Sequence, residues 1–407
     1  MDERLVARMR GFGETVFAEM TRLATDTGAI NLGQGFPDTD GPTSLLEGAA
    51  RRIRDGGDSV NQYPPGLGRP ELRAAVAADR SRRYGLDYDP SDEVYVTVGA
   101  TGGIAAAVLS TVEPGDEVVL FEPMYDSYPA VIAMAGGVRR PVTLRPTGPA
   151  GRFTFDPEEL RAAVGPRTRM IIVNSPHNPT GTVLTREELA VIADLCHEHD
   201  LIALTDEVYE HLTFDGAEHV PLAALPGMRE RTITVSSVGK TFSVTAWKTG
   251  WVTGPRELVR AVRTVNQFLT FSANGALQLA IADALSDVSG EMGWVGQLRA
   301  ALAGKRDRLS VGLRAAGFDV THTQGTYFVM ADIGPLGGTD GIEFARAMPR
   351  EAGVAMVPAQ VLYDRPTEAR HLVRFAFCKR DEVLDAAIAR LGEWSRTGAR
   401  PSRAAQG

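Results

Sequence analysis

Four polar side chains that could act together chemically follow short apolar runs in the middle of the chain. MIIVN precedes Asn178, LIALT precedes Asp206 and Tyr209, and TITVS precedes Lys240. If these runs are neighbouring strands of a parallel sheet, their carboxyl ends bring an amide, a carboxylate, a phenol and an amine to one edge. A lysine amine can form a Schiff base, and a carboxylate can hold a protonated pyridine nitrogen. This set suits pyridoxal phosphate.

Lysine is rare in this chain, which draws attention to the few that occur. Of the 43 basic residues, 39 are arginine, and the lysines are Lys240, Lys248, Lys305 and Lys379. A coding bias towards arginine explains the ratio. A lysine can lose its proton and attack a carbonyl carbon, whereas an arginine cannot, so each remaining lysine is a candidate for a specific role.

The elements that must position these groups are short β-rich runs separated by helix-length segments. The runs are VYVTV (94–98), EVVLF (117–121), MIIVN (170–174), LIALT (201–205) and TITVS (232–236). Such alternation predicts a mostly parallel sheet covered by helices on both faces. Thr185 and Glu188 form a capping-box pattern at the start of one helix, which extends to about His199. After Gly254 the pattern is mainly helical to about Ala316, and a smaller α/β segment follows.

A turn of small residues after VYVTV is a candidate phosphate site. Gly99 to Gly103 would open a helix, whose first backbone N–H groups and dipole favour an anion. The dinucleotide pattern G-x-G-x-x-G is absent, and Thr234 stands where a P-loop ending at Lys240 needs its first glycine. Both nucleotide alternatives are therefore disfavoured. The histidines show no H-x-x-x-H pair, so we expect no metal site.

Several segments in this order resemble the fold-type I pyridoxal-phosphate aminotransferases of class I/II. The similarity is to the branch with kynurenine, glutamine, methionine and succinyldiaminopimelate aminotransferases. The segments are NLGQGFPD (31–38), NQYPPGLG (61–68), NSPHNPTG, TDEVYEHL, SSVGKTFSVTAWKTGW and HLVRFAFCKRDE (371–382). The resemblance implies a large cofactor-binding domain at 46–289, a smaller α/β domain from 1–45 and 290–395, and a polar tail at 396–407.

The resemblance implies a role for each candidate around the cofactor ring. Lys240 would form the Schiff base and later move a proton at the substrate. Asp206 would pair with the pyridine nitrogen, Asn178 and Tyr209 would bond the ring hydroxyl, and Tyr125 would stack on the ring face.

The resemblance also implies how the cofactor phosphate is held. Backbone at Ala100 and Thr101 would contact it, together with the side chains of Ser237 and Lys248. Tyr63 would reach it from a second subunit, which implies a homodimer with active sites at the interface.

For the substrates, an amino acid and a 2-oxo acid, the resemblance implies a carboxylate site and a side-chain pocket. Arg374 would take the α-carboxylate, because a guanidinium fork matches its two oxygens. The other residues implied are Gly35, Phe17, Asn178, Tyr327 and, from the partner subunit, Phe271.

Two segments depart from the pattern of the branch and keep other activities open. Gly102-Gly103 stands where Glu-Ala is common, and Thr245-Ala246-Trp247-Lys248 stands where T-G-W-K is common. One alternative is therefore γ-elimination, γ-replacement or ring formation on a substrate such as S-adenosylmethionine. A second alternative is a non-catalytic regulator that resembles an aminotransferase.

Composition sets limits on partners and location. A net charge of −8 and a pI near 5.5 give no general attraction to nucleic acid or anionic membrane. Cys196 and Cys378 are too few for a disulfide framework, and the charged start of the sequence lacks the apolar core of a signal peptide. We therefore expect a cytoplasmic protein.

Overall fold

The computed structural model describes residues 4–13, 15–57, 60–147, 151–288 and 290–397. Its α-helices are α1 (Val16–Thr27), α2 (Thr43–Asp55), α3 (Pro70–Tyr84), α4 (Gly99–Thr111), α5 (Ser127–Ala135), α6 (Pro157–Ala163), α7 (Arg186–Glu198), α8 (Val238–Thr241), α9 (Arg256–Leu269), α10 (Gly275–Ser286), α11 (Glu291–Ala315), α12 (Gly341–Glu351) and α13 (Asp381–Thr397). Its strands are β1 (Ile30–Asn31), β2 (Val94–Val98), β3 (Glu117–Glu122), β4 (Val138–Thr143), β5 (Arg145–Pro146), β6 (Phe153–Thr154), β7 (Thr168–Asn174), β8 (Ile202–Asp206), β9 (Thr232–Ser237), β10 (Thr249–Thr253), β11 (Asp319–Val320), β12 (Phe328–Asp332), β13 (Val354–Ala355), β14 (Val357–Pro358) and β15 (Leu372–Ala376).

A seven-stranded sheet with the order β2-β10-β9-β8-β7-β3-β4 forms the centre of the fold. The pairs from β9 through β4 are parallel, whereas β10 runs antiparallel to both β9 and β2. The five predicted runs are confirmed as strands. The sequence analysis missed β4 and β10. Because it missed β10, it did not predict that VYVTV joins the sheet through antiparallel pairing.

Helices cover both faces of this sheet, as the apolar runs predict. On one face Val118 and Leu120 pack in a buried cluster with Ile104 of α4, and on the other Val119 packs in a cluster with Ile192 of α7. Alternate residues of a strand point to opposite faces, so continuous apolar runs are needed when both faces are covered. The mostly parallel α/β architecture is confirmed.

A second, antiparallel sheet with the order β11-β12-β15-β14 lies in the C-terminal part of the chain. Residues near both ends of the chain meet beside it, because β1 pairs in parallel with β13. The domain boundaries remain a prediction. Helix α13 continues to Thr397, two residues into the predicted polar tail, and 398–407 lie outside the described residues.

Two features of the helices bear on the expectations from sequence. The capping box at the start of α7 is confirmed: Thr185 Oγ1 accepts from the Glu188 N–H, and the Glu188 carboxylate accepts from the Thr185 N–H at 2.8 Å. Within the described part of the chain, no helix has both the length and the apolar character needed to cross a membrane.

The sheet register brings the chemically active strand ends together. Asn174 pairs with Asp206 across β7 and β8, and Ser237 at the end of β9 pairs with Gly250 of β10. Gly250 allows a close approach of the chain, since a Cβ there would lie 2.6 Å from the Gly99 carbonyl carbon and 2.8 Å from Ser236 O. The first turn of α4 therefore lies directly against the sheet.

Replacing Gly250 should disturb this contact. We expect Gly250→Ala to lower the free energy of unfolding by about 1–3 kcal/mol, because the obstructing atoms are backbone and cannot rotate away. Urea denaturation measures the change. Gly296→Ala is the matched control, since a Cβ in that position of α11 meets no atom within 4 Å; it should be neutral or stabilise by up to about 1 kcal/mol. Equal stability of Gly250→Ala and the parent protein would contradict the packing argument.

Candidate active site

A cavity of about 420 Å³ opens at the carboxyl ends of the central strands. This volume is in the range typical of small-molecule sites. Most residues selected from the sequence line it, namely Phe17, Gly35, Ala100, Thr101, Tyr125, Asn178, Asp206, Tyr209, Ser237, Lys240, Lys248 and Arg374. The structure therefore brings together side chains that are up to 357 positions apart in the sequence, Phe17 and Arg374.

Asp206, the last residue of β8, is a buried carboxylate with neutral partners. Its Oδ2 accepts a hydrogen bond from the Tyr128 hydroxyl at 2.7 Å, and its Oδ1 accepts one from the Val208 N–H at 3.3 Å. Burial raises the pKa of Asp206 to about 6. A cationic group in the cavity would remove this penalty, and a protonated pyridine nitrogen is such a group.

The loop after β7 is folded back so that Asn178 faces the cavity. The Asn174 side chain bridges the two strand ends: its Oδ1 accepts from the Asn178 N–H at 2.7 Å, and its Nδ2 donates to Asp206 O at 2.8 Å. The Ser175-Pro176 and Asn178-Pro179 peptide bonds in this loop are cis. Asn178 lines the cavity, and its Oδ1 accepts a hydrogen bond from Arg374 Nη1 at 3.2 Å.

Lys240 lies on the one-turn helix α8 directly after β9. Its amine donates to the Tyr327 hydroxyl at 2.6 Å, and that hydroxyl donates to Gly35 O at 2.6 Å. Burial of the amine lowers the pKa of Lys240 to about 8. Near this pH a large share of the amine is neutral, which is the form that attacks a carbonyl carbon.

The start of α4 provides an anion site. No side chain caps this helix, so its first N–H groups, which include those of Ala100 and Thr101, are available to a ligand. Lys248 lies beside them, since a Cβ on Gly99 would be 3.4 Å from Lys248 Nζ. Ser237 lines the same part of the cavity. A helix terminus, a cation and a hydroxyl suit a phosphate group.

Arg374 of β15 is a buried cation without a carboxylate partner in the described part of the chain. Its Nη1 donates to Asn178 Oδ1 at 3.2 Å and its Nη2 donates to Gly33 O at 2.9 Å, while Nε has no hydrogen-bond partner. Burial lowers the pKa of Arg374 to about 10. Its guanidinium packs 4.1 Å from the centre of the Phe328 ring. A substrate carboxylate would supply the missing counter-ion.

Aromatic rings form the remaining walls. Tyr125 lines the cavity, bonds the Thr101 side chain and packs edge-on against Tyr128, with 5.6 Å between ring centres. Phe17 lies on the Arg374 side, 5.1 Å from that guanidinium. Tyr209 is buried, and burial raises the pKa of its phenol well above the usual range, so it stays a hydrogen-bond donor.

Three selected residues do not line the cavity of this chain. Tyr63 and Phe271 lie on the surface, 81% and 55% exposed, and contact each other edge-on with 5.1 Å between ring centres. Tyr327 is buried behind the cavity, where it contacts Lys240 through its hydroxyl, and Phe328 occupies the wall instead.

The sequence analysis missed several groups that shape the site. Tyr128, the hydrogen-bond donor to Asp206, lies three residues after Tyr125 in the same segment FEPMYDSY, and that proximity was the available clue. Asn174 acts through its position in the strand register. Phe328 and the Gly33 carbonyl have no clue in the sequence, because tertiary packing alone brings them to Arg374.

The charges of the cavity fit pyridoxal phosphate together with an amino acid. Asp206 needs a cation, the start of α4 with Lys248 needs an anion, and Arg374 needs a carboxylate. Lys240 offers an amine of lowered pKa between them. One small cavity thus supplies a complementary group for each ionised part of such a cofactor and substrate.

Comparison with known proteins agrees with this geometry. The family model for aminotransferase class I and II matches residues 27–391. The solved structure of N-succinyldiaminopimelate aminotransferase from Mycobacterium tuberculosis is 53% identical in sequence and superposes with a TM-score of 0.92. The match covers 96% of this chain and 100% of that chain.

More distant relatives are aminotransferases too. Kynurenine–oxoglutarate transaminase 3 of Rattus norvegicus is 38% identical, over 95% of this chain and 90% of the relative. Methionine aminotransferase of Escherichia coli is also 38% identical, over 95% of this chain and 97% of the relative. These similarities support transamination over the Cγ chemistry, which the departures at Gly102, Gly103 and Ala246 had left open. They also support it over the regulatory role.

The lowered pKa of Lys240 can be tested in the cofactor-free protein. Below pH 8 the amine is mostly protonated and above pH 8 it is mostly neutral, so we expect its acetylation by acetic anhydride to rise with a midpoint near pH 8. Peptide mass spectrometry separates Lys240 from the other three lysines, which serve as internal references for the reagent. A midpoint near the ordinary lysine value of 10.5 would contradict the burial argument.

Proposed function

The chain belongs to the family of class I and II aminotransferases, and we propose that its substrate is N-succinyldiaminopimelate. It is a pyridoxal-phosphate-dependent enzyme that transfers an amino group between an amino acid and a 2-oxo acid. The substrate proposal rests on the relative of that name, which is 53% identical over its whole length. The single observation that supports an amino-acid site is Arg374, a buried guanidinium that shares the cavity of Lys240 and lacks a carboxylate partner among the described residues.

In this proposal each side chain of the cavity binds or orients one part of the reactants. Bound pyridoxal phosphate withdraws electrons from the substrate α-carbon. Asp206 would hold the proton on the pyridine nitrogen, and Tyr128 orients the Asp206 carboxylate through a hydrogen bond to its Oδ2. Asn178 and Tyr209 would donate to the ring hydroxyl, and Tyr125 would cover a face of the ring; all three line the cavity.

Lys240 is the group proposed to move the proton at the substrate α-carbon. The hydroxyl of Tyr327 holds the amine in place from behind, and Gly35 O fixes the direction of that hydroxyl. A pKa near 8 lets the same amine accept a proton and release it again close to neutral pH.

The substrate end of the cavity fits a long amino acid. Arg374 and Asn178 would fix the reacting carboxylate at the buried end. Phe17, Gln34 and Phe36 also line the cavity, and of these Phe36 is 45% exposed. In this proposal a long acylated side chain extends past Phe36 towards solvent, while the reacting carbon stays beside Lys240.

We propose that the enzyme is a homodimer whose subunits complete each other's sites. A patch of exposed aromatic and aliphatic side chains supports this, because single proteins rarely leave such groups together without a partner. Phe268 is 84% exposed, and it neighbours Leu269 and Phe271, which contacts Tyr63. Tyr63 and Phe271 would enter the partner's cavity, as expected from sequence.

A cytoplasmic location is part of the same proposal. Both cysteines are buried and unpaired, which suits a reducing compartment. Burial raises the pKa of the Cys378 thiol to about 11, so it stays protonated and inert.

The substrate proposal predicts a ranking of amino donors. Mixed with each donor in turn and without a 2-oxo acid, the holoenzyme should convert its bound cofactor fastest with N-succinyldiaminopimelate and release the matching 2-oxo acid. Absorbance and mass spectrometry measure the two products. Glutamate, glutamine, methionine, aromatic amino acids and S-adenosylmethionine complete the panel. Lys240→Ala is the control and should lose at least about 10²-fold in rate, the usual contribution of a general base.

Two results would contradict this ranking in different ways. A clearly faster reaction with methionine or an aromatic amino acid would leave the aminotransferase in place and overturn the substrate. Release of a thioether from S-adenosylmethionine, with the cofactor unchanged, would instead indicate the Cγ chemistry.

The shared-site dimer predicts complementation between two inactive chains. Tyr63→Ala and Lys240→Ala homodimers should both be impaired, whereas a mixed dimer regains one intact site, made of Lys240 from one chain and Tyr63 from the other. Two different affinity tags isolate the mixed dimer for assay. No recovery of activity in the mixed dimer would contradict the proposal that Tyr63 crosses the interface.

A further inference from the structure

A cluster of buried charges lies directly behind the turn that follows β8. We call it the Arg80 cluster; it consists of Arg80 and Tyr84 of α3, Glu207 and Glu210 of the turn, Ser236 of β9, and His219. Arg80 is only 2% exposed, and Glu207 and Glu210 are 2% and 5% exposed. None of these side chains lines the cavity of the active site.

The guanidinium of Arg80 joins the two carboxylates of this cluster. Its Nη1 donates to Glu207 Oε2 and to Glu210 Oε2, each at 2.9 Å. Each carboxylate has further partners: the Tyr84 hydroxyl donates to Glu210 Oε2 at 3.0 Å, and Ser236 Oγ donates to Glu210 Oε1 at 2.6 Å. Two histidines lie beside them, with His219 Nε2 3.2 Å from Glu207 Oε2 and His211 Nε2 4.0 Å from Glu210 Oε1. Arg80 is thus the only arginine or lysine paired with either carboxylate in the described residues.

Each of the two glutamates directly follows a residue proposed to hold the cofactor ring. Asp206 immediately precedes Glu207, and Tyr209 immediately precedes Glu210. The backbone adds local bonds, since Glu210 N–H donates to Glu207 O at 2.9 Å and Glu207 N–H donates to Val235 O at 2.8 Å. A shift of Glu207 would therefore also shift Asp206, and a shift of Glu210 would shift Tyr209, because each pair is joined by one peptide bond.

The charges of the cluster also act on Asp206. Three carboxylates occur within five consecutive positions, all buried, and Arg80 offsets one of them. Burial opposes the charge of Glu207 and Glu210. Arg80 and His219 lower the pKa of Glu207, and His211, Arg80 and His219 lower that of Glu210. The pKa of Asp206 is raised mainly by burial, with a further contribution from the charge of Glu207. Loss of Arg80 would remove the guanidinium that pairs with both glutamates, and a buried carboxylate that loses its ion-pair partner is strongly unfavourable.

The same residues could be mistaken for a metal site. Oxygen atoms of Glu207 and Glu210 and a nitrogen of His219 lie within 4.8 Å of one another. The Arg80 guanidinium bonds both carboxylates, so it occupies the place that a cation would take. The cluster is therefore an arginine-centred one.

We propose that Arg80 is a positioning residue for the cofactor, which fixes the 206–210 turn and keeps Asp206 ionised although it does not touch the active site. The inference depends on the proposed role of Asp206 towards the pyridine nitrogen. Groups that hold ligands in place typically change affinity by about 10–100-fold when they are removed, so an effect of this size is expected on cofactor binding.

The first experiment compares two buried arginines that each pair with acidic residues. Arg80→Met should weaken pyridoxal-phosphate binding about tenfold or more and lower the protonated fraction of the pyridine nitrogen, which nitrogen NMR of isotope-labelled cofactor measures. Arg306→Met is the matched control, because Arg306 is 7% exposed and pairs with Asp215 and Asp307, remote from the cavity wall. It should lower the melting temperature and leave both cofactor readouts unchanged. Equal cofactor affinity and nitrogen protonation in Arg80→Met and the parent would overturn the proposal.

A double variant separates charge from packing. Arg80→Met with Glu210→Gln removes one negative charge together with the cation, so it should recover nitrogen protonation and most of the lost affinity. If it binds the cofactor no better than Arg80→Met alone, the charge argument is overturned. Asp206→Asn tests the underlying role of Asp206. If the protonated fraction of the pyridine nitrogen is unchanged in Asp206→Asn, the proposed function of Asp206 is refuted. If that fraction changes in Asp206→Asn but not in Arg80→Met, only the present inference is refuted.

Single conservative variants keep the proposal testable if Arg80→Met does not fold. Glu210→Gln keeps the shape of the side chain and removes a negative charge. Its amide oxygen can accept from Arg80 and Tyr84, and its amide NH2 can donate to Ser236 Oγ once that hydroxyl rotates. It should bind the cofactor at least as tightly as the parent, the opposite of Arg80→Met. A tenfold loss of cofactor affinity in Glu210→Gln would overturn the proposal.

Discussion

Burial of ionised groups that lack counter-ions is the constraint on which this active site depends. Asp206 and Arg374 are 5% and 3% exposed, and each is bonded only to neutral groups in the described structure. Desolvation without an opposite charge is unfavourable, so these groups raise the free energy of the ligand-free site. A cofactor and a substrate that carry the opposite charges gain binding affinity by removing this penalty. The raised pKa of Asp206 and the lowered pKa of Arg374 show which two groups require an opposite charge.

The two sheets hold these charged groups at fixed positions. Asp206 is the last residue of β8, and Lys240 follows the neighbouring parallel strand β9. Arg374 belongs to β15 of the second sheet. Each is bonded to backbone or to neutral side chains that are themselves fixed, such as Asn174 and Tyr327. The charged groups are therefore held close together by the fixed spacing of the strands and not by ion pairs with one another.

A layered arrangement supports the reacting groups. The first layer faces the cavity, and behind it Tyr128, Tyr327 and Asn174 orient the groups that face inwards. In the proposal made here Arg80 belongs to a third layer, which offsets the charge of the turn itself. The exposed side chains of Tyr63 and Phe271 would complete the first layer from a second subunit. Each layer restricts the conformations of the side chains in the layer in front of it, which a preorganised site requires.

The sequence alone determined five of the seven strands of the central sheet, the class of fold and a set of residues that meet at the strand ends. Five apolar runs of strand length and the capping box at Thr185 are local patterns, so they could be predicted without tertiary contacts. Asn178, Asp206 and Lys240 were found because parallel strands place their carboxyl ends at one edge. Tertiary structure alone decided the antiparallel β10, the Tyr128 partner of Asp206, the place of Tyr327 behind Lys240 and the Arg80 cluster. Those features join segments that are far apart in the chain, and no local periodicity records which distant side chain will meet a buried charge.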